Sequence, residues 1–433
     1  MAHLQALRHK FDSLLVAARR PASPKSVLVP QQRRLEELTG FGTNPGNLRM
    51  FAHVPERVPV DAPLVVALHG CGQSAQDYDF GTGWSTLADQ LGFVVVYPQQ
   101  QPANNPKNCF SWFSPGDIAR DHGEALSIRQ MVAHAVAIFS IDPHRVFVTG
   151  LSAGGAMATV MLATYPEAFA GGAIIAGLPY GCAHSVQQAF EAMFTERECA
   201  APALGDKVRA ASTHRGRWPR ISLWHGTADP IVKASNAEDS IRQWTDVHGL
   251  SAIPSYEEAI GPHTRRVWTG ADGEPLIEAF AISGMAHGVP LATAGEDGCG
   301  AAGAFFLDAG ISSTRRIADF WRLGERSAEM PRAFMLGPVP DETPMGARPT
   351  AAAGIIAARR DAAEASSPAR SAAATRRTLD PNQVIAAAFK AAGLPIPAVD
   401  NPSPGAMSRI APEPIIDAAL KAAGLKPALN GAD

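Results

Sequence analysis

The chain contains 433 residues, of which 38 are Lys or Arg and 41 are Asp or Glu, so its formal net charge is −3. This balance provides no broad cationic field, which argues against nucleic-acid binding. No apolar run approaches the roughly 18 residues that a membrane-spanning helix needs, so we expect no integral membrane protein. The five cysteines form no C-x-x-C pair typical of zinc or redox sites, but they leave room for one or two disulfides.

Residues 1–45 are predicted to form an N-terminal helical or irregular segment. Charges such as Arg8 and Asp12 interrupt its apolar residues, so no secretory signal is visible. Leu7 and Phe11 belong to an apolar set at helical spacing, which predicts a short amphipathic helix. On this pattern alone, a cytoplasmic location stays open.

Residues 46–325 alternate between short apolar runs and helical segments. Asp121 and Glu124 form a D-x-x-E pattern, which predicts a capping box at the start of a helix over 124–139. The runs are almost continuously apolar, as in strands buried on both faces of a parallel sheet. They lie at residues 63–68, 92–97, 145–149, 172–176, 220–224 and 276–282. The alternation predicts an α/β domain with a mostly parallel, doubly wound sheet and helices on both faces.

The composition changes beyond this region. Residues 326–380 are rich in Ala, Arg and Pro, which predicts a disordered linker. Residues 381–433 contain two copies of a short helical pattern, at 384–395 and 415–426. Two copies are too few to stack into a core of their own. We therefore expect the segment 384–425 to dock on a polymer surface or another protein, or to remain exposed.

Gly150-Leu-Ser-Ala-Gly154 follows an expected strand and precedes a segment with helical pattern. A G-x-S-x-G turn between strand and helix holds its serine in a strained conformation and exposes the hydroxyl. The sequence therefore predicts Ser152 as a nucleophile, against the alternative of a merely structural serine turn.

A serine hydroxyl needs a base that a carboxylate holds in the right tautomer. Asp229 follows the expected strand 220–224, and His287 follows the expected strand 276–282, which is the chain order that this elbow predicts. The alternatives are a helix-capping role for Asp229 and an ordinary loop position for His287. His225 and His263 are competing bases, but neither follows the last strand, and His225 is interpreted as a packing residue.

Acyl transfer also needs donors aimed at the developing oxyanion. The candidates are the backbone N–H groups of Ala153, directly after the nucleophile, and of Cys71, in the small-residue loop after the first expected strand. Alternatively, that loop simply ends a strand. Cys71 is also a candidate for a disulfide with Cys109, against two free thiols.

Aromatic residues beside Cys109 are candidates for lining a substrate pocket. Trp112 and Phe110 lie in a loop-like segment whose spacing fits no helix face, so pocket lining and core packing both remain open. Gln73, in the loop that contains Cys71, is a third candidate for substrate binding.

Five motifs together resemble the polyhydroxybutyrate (PHB) depolymerase family of esterases, which is related to feruloyl and acetylxylan esterases. The similarity covers roughly residues 45–325, and it implies an α/β-hydrolase fold and a serine esterase that forms an acyl-enzyme. The motifs are LHGCGQ at 68–73, NCFSWF at 108–113, GLSAGG at 150–155, WHGTAD at 224–229 and GMAHG at 284–288.

The resemblance matches Ser152, Asp229 and His287 to the family's triad and Cys71 to its oxyanion loop. It implies short-chain poly(3-hydroxyalkanoate) or 3-hydroxybutyrate oligomers as substrate, with feruloyl or acetyl esters as the alternative, and no metal or organic cofactor. It also suggests an extracellular location. A hypothesis of another class is a polymer-granule or partner-binding protein that acts through its C-terminal repeats.

Overall fold

The computed structural model describes residues 35–196, 199–295 and 298–325. The N-terminal helix, the linker and the two repeats predicted from the sequence lie outside these residues, so the proposed division into four segments stays a prediction. Among the helices of the described residues, none has both the length and the hydropathy needed to cross a bilayer.

The described residues form twelve strands, which we number in chain order. They are β1 (Glu36–Leu38), β2 (Arg49–His53), β3 (Ala62–Leu68), β4 (Val94–Gln99), β5 (Ile141–Leu151), β6 (Gly171–Ile175), β7 (Arg220–Gly226), β8 (Tyr256–Ile260), β9 (His263–Thr269), β10 (Pro275–Ile282), β11 (Val289–Leu291) and β12 (Phe306–Asp308).

Helices connect these strands and cover the sheet. They are α1 (Ala75–Thr82), α2 (Trp84–Leu91), α3 (Pro115–Ile118), α4 (Gly123–Phe139), α5 (Ala153–Thr164), α6 (Val186–Phe194), α7 (Ala201–Ala210), α8 (Ser235–His248) and α9 (Ser313–Phe320), with a 3₁₀ turn at Pro166–Ala168.

Ten strands form one sheet in the order β1-β2-β4-β3-β5-β6-β7-β10-β9-β8. The six strands from β4 to β10 in this order run parallel, and antiparallel strands extend both edges. These six are the apolar runs that the sequence predicts as strands, and β3 and β7 are buried along their whole length. The expected mostly parallel sheet with surrounding helices is confirmed.

The edge strands were not predicted from the sequence. Four of the five residues of β8 are exposed, so this strand has no apolar run to reveal it. The edge strand β1 has only three residues, as do β11 and β12, which form a separate two-stranded sheet.

The predicted capping box at Asp121 and Glu124 is wrong. The helix α4 begins at Gly123, and Asp121 lies before it with a φ of 65°, where its carboxylate accepts a hydrogen bond from the Tyr165 hydroxyl at 3.2 Å. Glu124 turns inward and is 1% exposed. Its carboxylate instead accepts hydrogen bonds from Gln100 Nε2 at 2.6 Å and from the Ser111 N–H at 2.8 Å.

The last described elements pack back on the sheet. Trp321, directly after α9, stacks on Phe147 of β5 with ring centroids 4.8 Å apart and on Trp84 at 6.0 Å. All three rings are buried. Because β5 leads directly to Ser152, this packing fixes the strand that carries the candidate nucleophile.

Candidate active site

Ser152 lies in a tight turn between β5 and α5. Its φ of 58° and ψ of −116° are a strained conformation for a residue with a side chain. The Ser152 N–H donates to the Ile175 carbonyl at 2.9 Å, which ties the turn to β6. The residue is 7% exposed. The strand, turn and helix predicted around the serine are all present.

Two glycines make this turn possible. A Cβ at Gly150 would lie 2.4 Å from the carbonyl carbon of Gly154, and a Cβ at Gly154 would lie 2.2 Å from the carbonyl oxygen of Leu68. Both distances are far inside van der Waals contact with backbone atoms. Only glycine at these positions allows α5 to start against β3 and β5.

Asp229 and His287 lie side by side, as the sequence predicts. The loops that carry them follow the neighbouring parallel strands β7 and β10, so they meet at the same edge of the sheet. His287 Nδ1 donates to Asp229 Oδ2 at 2.7 Å, and both residues are buried. This contact fixes the ring so that Nε2 is the nitrogen left for chemistry.

The second oxygen of Asp229 holds its own loop. Oδ1 accepts the N–H groups of Ile231 at 2.8 Å and of Val232 at 2.9 Å. Burial alone would raise the pKa of Asp229, but the neighbouring His287 and His225 side chains hold it well below its ordinary value. The carboxylate is therefore ionised at neutral pH. These two hydrogen bonds are the local capping contacts that the sequence gives as the alternative for Asp229, and its site role stays a prediction.

The two competing histidines occupy different places. His263 accepts the Ser283 N–H on Nδ1 at 3.2 Å and donates from Nε2 to the Ala309 carbonyl at 2.9 Å. Both of its ring nitrogens are therefore hydrogen-bonded to backbone groups of loops. His225 lies at the end of β7 with Nε2 3.4 Å from Asp229 Oδ2 and 2.9 Å from the Val232 carbonyl. That His225 lies beside the Asp229 carboxylate was not predicted from the sequence. The only sequence signal for this contact is that the two residues are four positions apart.

Two cavities meet at Ser152. The smaller has a volume of about 10 Å³, and its lining includes Gln73, Cys71 and His287. The larger has a volume of about 460 Å³ and shares Ser152 and Cys71 with the smaller one. Its further lining is mostly apolar and includes Ala153, Trp112, Phe113, Leu178, Val186, Phe190 and Met193.

The two oxyanion-hole candidates, Cys71 and Ala153, lie together with Ser152 on the wall of the larger cavity. Ala153 is the first residue of α5, so its N–H has no acceptor within the helix. The disulfide between Cys71 and Cys109 is present, with Cα atoms 4.3 Å apart. A hydrogen bond of 2.6 Å from the Gly72 N–H to the Lys107 carbonyl adds a second tie between the two loops.

The three substrate-binding candidates are placed differently. Trp112 lines the larger cavity and packs edge-on against Phe113, with ring centroids 5.4 Å apart. Gln73 lines the smaller cavity. Phe110 is fully buried beside His69, with ring centroids 4.9 Å apart, and lines neither cavity.

One wall of the larger cavity was not predicted from the sequence. Val186, Phe190 and Met193 lie on one face of α6, and each lines the cavity. Their spacing of four and three residues is the usual signal of an apolar helix face. That signal could not say what the face covers, because core packing produces the same pattern.

Comparison with known proteins identifies the chain. A sequence family described as esterase PHB depolymerase matches residues 52–260. Poly(3-hydroxyalkanoate) depolymerase C of Paucimonas lemoignei is 49% identical over 289 residues, which cover 66% of this chain and 70% of that one. The chain belongs to the PHB depolymerase family of esterases.

Another relative and one solved structure are consistent with this assignment. Feruloyl esterase B of Talaromyces stipitatus is 33% identical over 266 residues, covering 59% of this chain and 72% of that one. The structure of the acetyl xylan esterase from Aspergillus awamori matches with a TM-score of 0.55 and 27% identity, covering 58% of this chain and 93% of that one. This PHB depolymerase family member is therefore a carboxylic ester hydrolase with an α/β-hydrolase fold.

Proposed function

We propose that this esterase cleaves short-chain poly(3-hydroxyalkanoate) or 3-hydroxybutyrate oligomers through an acyl-enzyme on Ser152. The observation that carries the proposal is the position of Ser152, which opens onto a mostly apolar cavity of about 460 Å³ and also onto the cavity that His287 lines. The similarity to a poly(3-hydroxyalkanoate) depolymerase supports this choice of substrate.

The mechanism assigns one role to each group. His287 Nε2 takes the proton of Ser152 as the hydroxyl attacks the ester carbonyl, and Asp229 holds the ring and stabilises its positive charge. The N–H groups of Cys71 and Ala153 bind the oxyanion. His287 then protonates the leaving alcohol. A water molecule repeats the sequence to release the acid.

A feruloyl or acetyl ester is the second candidate substrate. The rings of Trp112, Phe113 and Phe190 on the cavity wall favour an aromatic acyl group, because aromatic rings pack well in offset or edge-on pairs. Relatives named as feruloyl and acetylxylan esterases are consistent with this alternative.

Steady-state hydrolysis of 3-hydroxybutyrate trimer and of methyl ferulate separates the two candidates. We expect kcat/KM for the trimer to exceed that for the ferulate by about tenfold or more, equivalent to about 1.4 kcal/mol of transition-state binding. A preference for the ferulate would contradict the polyester assignment. Ser152→Ala is the control, and it should lose activity on both esters while keeping the circular dichroism spectrum of the wild type.

We further propose that the segment 384–425 contacts a polymer surface or a protein partner. The support is the repeated pattern of Ile385, Ala388 and Phe389 in one copy and of Ile416, Ala419 and Leu420 in the other. Isolated helices of about eleven residues are marginal in water, so such apolar stripes gain stable helicity by docking. Sedimentation with insoluble polyester, with and without this segment, tests the proposal.

A further inference from the structure

The side-chain amide of Gln73 has a buried N–H donor in the same small cavity as Ser152. Its side-chain oxygen Oε1 accepts the Gly70 N–H at 2.7 Å, and its own backbone N–H donates to the Gly70 carbonyl at 3.2 Å. The first contact fixes which end of the side-chain amide is oxygen, because a backbone N–H needs an acceptor. The other end of the amide is then the nitrogen Nε2, and its position is fixed as well.

This nitrogen has no hydrogen-bond acceptor among the described residues, although Gln73 is only 6% exposed. A buried donor without an acceptor costs free energy, and native proteins keep few of them. This free-energy cost is offset during the reaction if the donor then forms a hydrogen bond to a molecule that enters the site. Gln73 lines the smaller cavity together with Ser152 and His287.

The size of that cavity limits what the donor can meet. A volume of about 10 Å³ is close to the minimum of roughly 10–15 Å³ that holds one water molecule. The larger cavity has room for an acyl chain, but His287 does not line it. The nucleophile of the second half-reaction must contact His287, so it belongs in the smaller cavity.

We propose that Gln73 Nε2 holds the hydrolytic water of deacylation. The inference rests on the acyl-enzyme of the proposed function, but not on the polyester substrate. Nε2 donates a hydrogen bond to the water oxygen, and the water donates one hydrogen bond to His287 Nε2.

In the step itself, the water oxygen forms a bond to the acyl carbon and His287 takes its proton. The bond from the acyl carbon to Ser152 Oγ then breaks, Ser152 receives the proton from His287, and the carboxylic acid leaves. No further reactant is needed.

Two substitutions test this role. Gln73→Glu keeps an oxygen for the Gly70 N–H and replaces the donor with a second oxygen, whereas Gln73→Met removes both groups without adding charge. Gln99→Glu is the matched control, since Gln99 Oε1 also accepts a backbone N–H, from Ala75 at 2.9 Å, and Gln99 lines neither cavity.

The two half-reactions are measured separately with p-nitrophenyl butyrate. Enzyme in excess gives the rate of nitrophenol release, which reports acylation, and intact-mass spectrometry of quenched samples gives the decay of butyryl-enzyme. We expect both Gln73 variants to slow deacylation by about tenfold or more while acylation changes less than about threefold, and Gln99→Glu to change neither.

Equal losses in both steps would mean that the donor serves the oxyanion, and unchanged deacylation would mean that it serves neither; each result would overturn the proposal. A general effect of the new charge in Gln73→Glu would slow both steps, because His287 is the base in both, so the uncharged Gln73→Met decides the case of equal losses. Nitrophenol release that is unchanged in Ser152→Ala would instead contradict the acyl-enzyme mechanism itself.

Discussion

At the scale of single residues, Asp229 has two tasks. Its Oδ1 closes the loop after β7, and its Oδ2 orients His287. Asp229→Asn retains an oxygen for one of these tasks and places an N–H group where the other oxygen was. We expect the variant to fold and to hold His287 in the wrong tautomer.

For Asp229→Asn, kcat on p-nitrophenyl butyrate should fall by about 10³–10⁴-fold, whereas loss of the base in His287→Ala should cost on the order of 10⁶-fold. Thermal unfolding monitored by circular dichroism is the control for folding. A loss of less than about tenfold in either variant would contradict the assigned roles.

His225 provides a smaller test at the same scale. His225→Phe preserves an aromatic ring at the end of β7 but removes the donor beside Asp229 Oδ2 and the Val232 carbonyl. A single hydrogen bond contributes about 0.5–1.5 kcal/mol, so we expect kcat to fall by roughly tenfold or less, with KM unchanged. A loss as large as that of His287→Ala would contradict the packing interpretation of His225.

At the scale of elements, the disulfide between Cys71 and Cys109 joins two loops that line the larger cavity. Its cysteines are 38 residues apart in sequence. The entropy of closing a loop of this length gives a stabilisation of about 4 kcal/mol. Cys71 is also an oxyanion-hole candidate, so the bridge fixes the position of a backbone donor.

We therefore expect Cys109→Ser to lower the free energy of unfolding by roughly 2–4 kcal/mol and to reduce kcat more than it changes KM. Urea unfolding and steady-state kinetics measure the two effects. Cys299→Ser, at a buried cysteine outside the bridge, is the matched control. Wild-type protein treated with a reductant should behave like the Cys109 variant. Unchanged kinetics in both would contradict the idea that the disulfide positions an oxyanion donor.

Glu124 connects α4 to the loop that contains Trp112. Burial raises the pKa of Glu124 to about 7 against the opposing effect of the Ser111 hydrogen bond. Between about pH 4.5 and 7 the folded protein therefore keeps a proton that the unfolded chain has already released. The free energy of unfolding falls as pH rises through this window.

The contribution of this carboxyl is on the order of 3 kcal/mol, because one unit of pKa corresponds to about 1.4 kcal/mol. Glu124→Gln has no proton to lose, so its stability relative to wild type should increase from pH 4.5 to pH 8. Urea unfolding across this range measures the difference. The exposed Glu56→Gln is the control, and parallel curves for wild type and Glu124→Gln would contradict the assignment.

How far the sequence predicted these elements depends on what each residue contacts. Ser152, Asp229 and His287 could be placed because each follows a buried parallel strand, and the ends of such strands meet at one edge of the sheet. The cavity wall on α6 could not, because its apolar face looks the same whether it covers a core or a cleft. The capping box predicted at Asp121 is wrong because of a residue far away in the sequence. The Tyr165 hydroxyl donates to the Asp121 carboxylate, and a local sequence pattern cannot show this contact.

At the scale of the whole molecule, the strands and the candidate site lie within residues 35–325, and the similarity to the Paucimonas lemoignei depolymerase covers 66% of the chain. Deletion of residues 345–433 removes none of the site candidates. We expect kcat/KM for a soluble ester to remain within about twofold, while binding to insoluble polyester weakens. Loss of soluble-ester activity would place the deleted residues in the catalytic fold.

The residues of the candidate site and part of the cavity wall come from different elements of the fold, which bears on how members of the family could change substrate. The serine, its partners and the bridged loop lie at the ends of central strands, while Val186, Phe190 and Met193 come from one helix, α6. A lineage could acquire a new ester by replacing side chains of that helix without rebuilding the chemistry. We therefore expect a combinatorial library restricted to these three positions to alter the substrate range while the triad candidates stay unchanged.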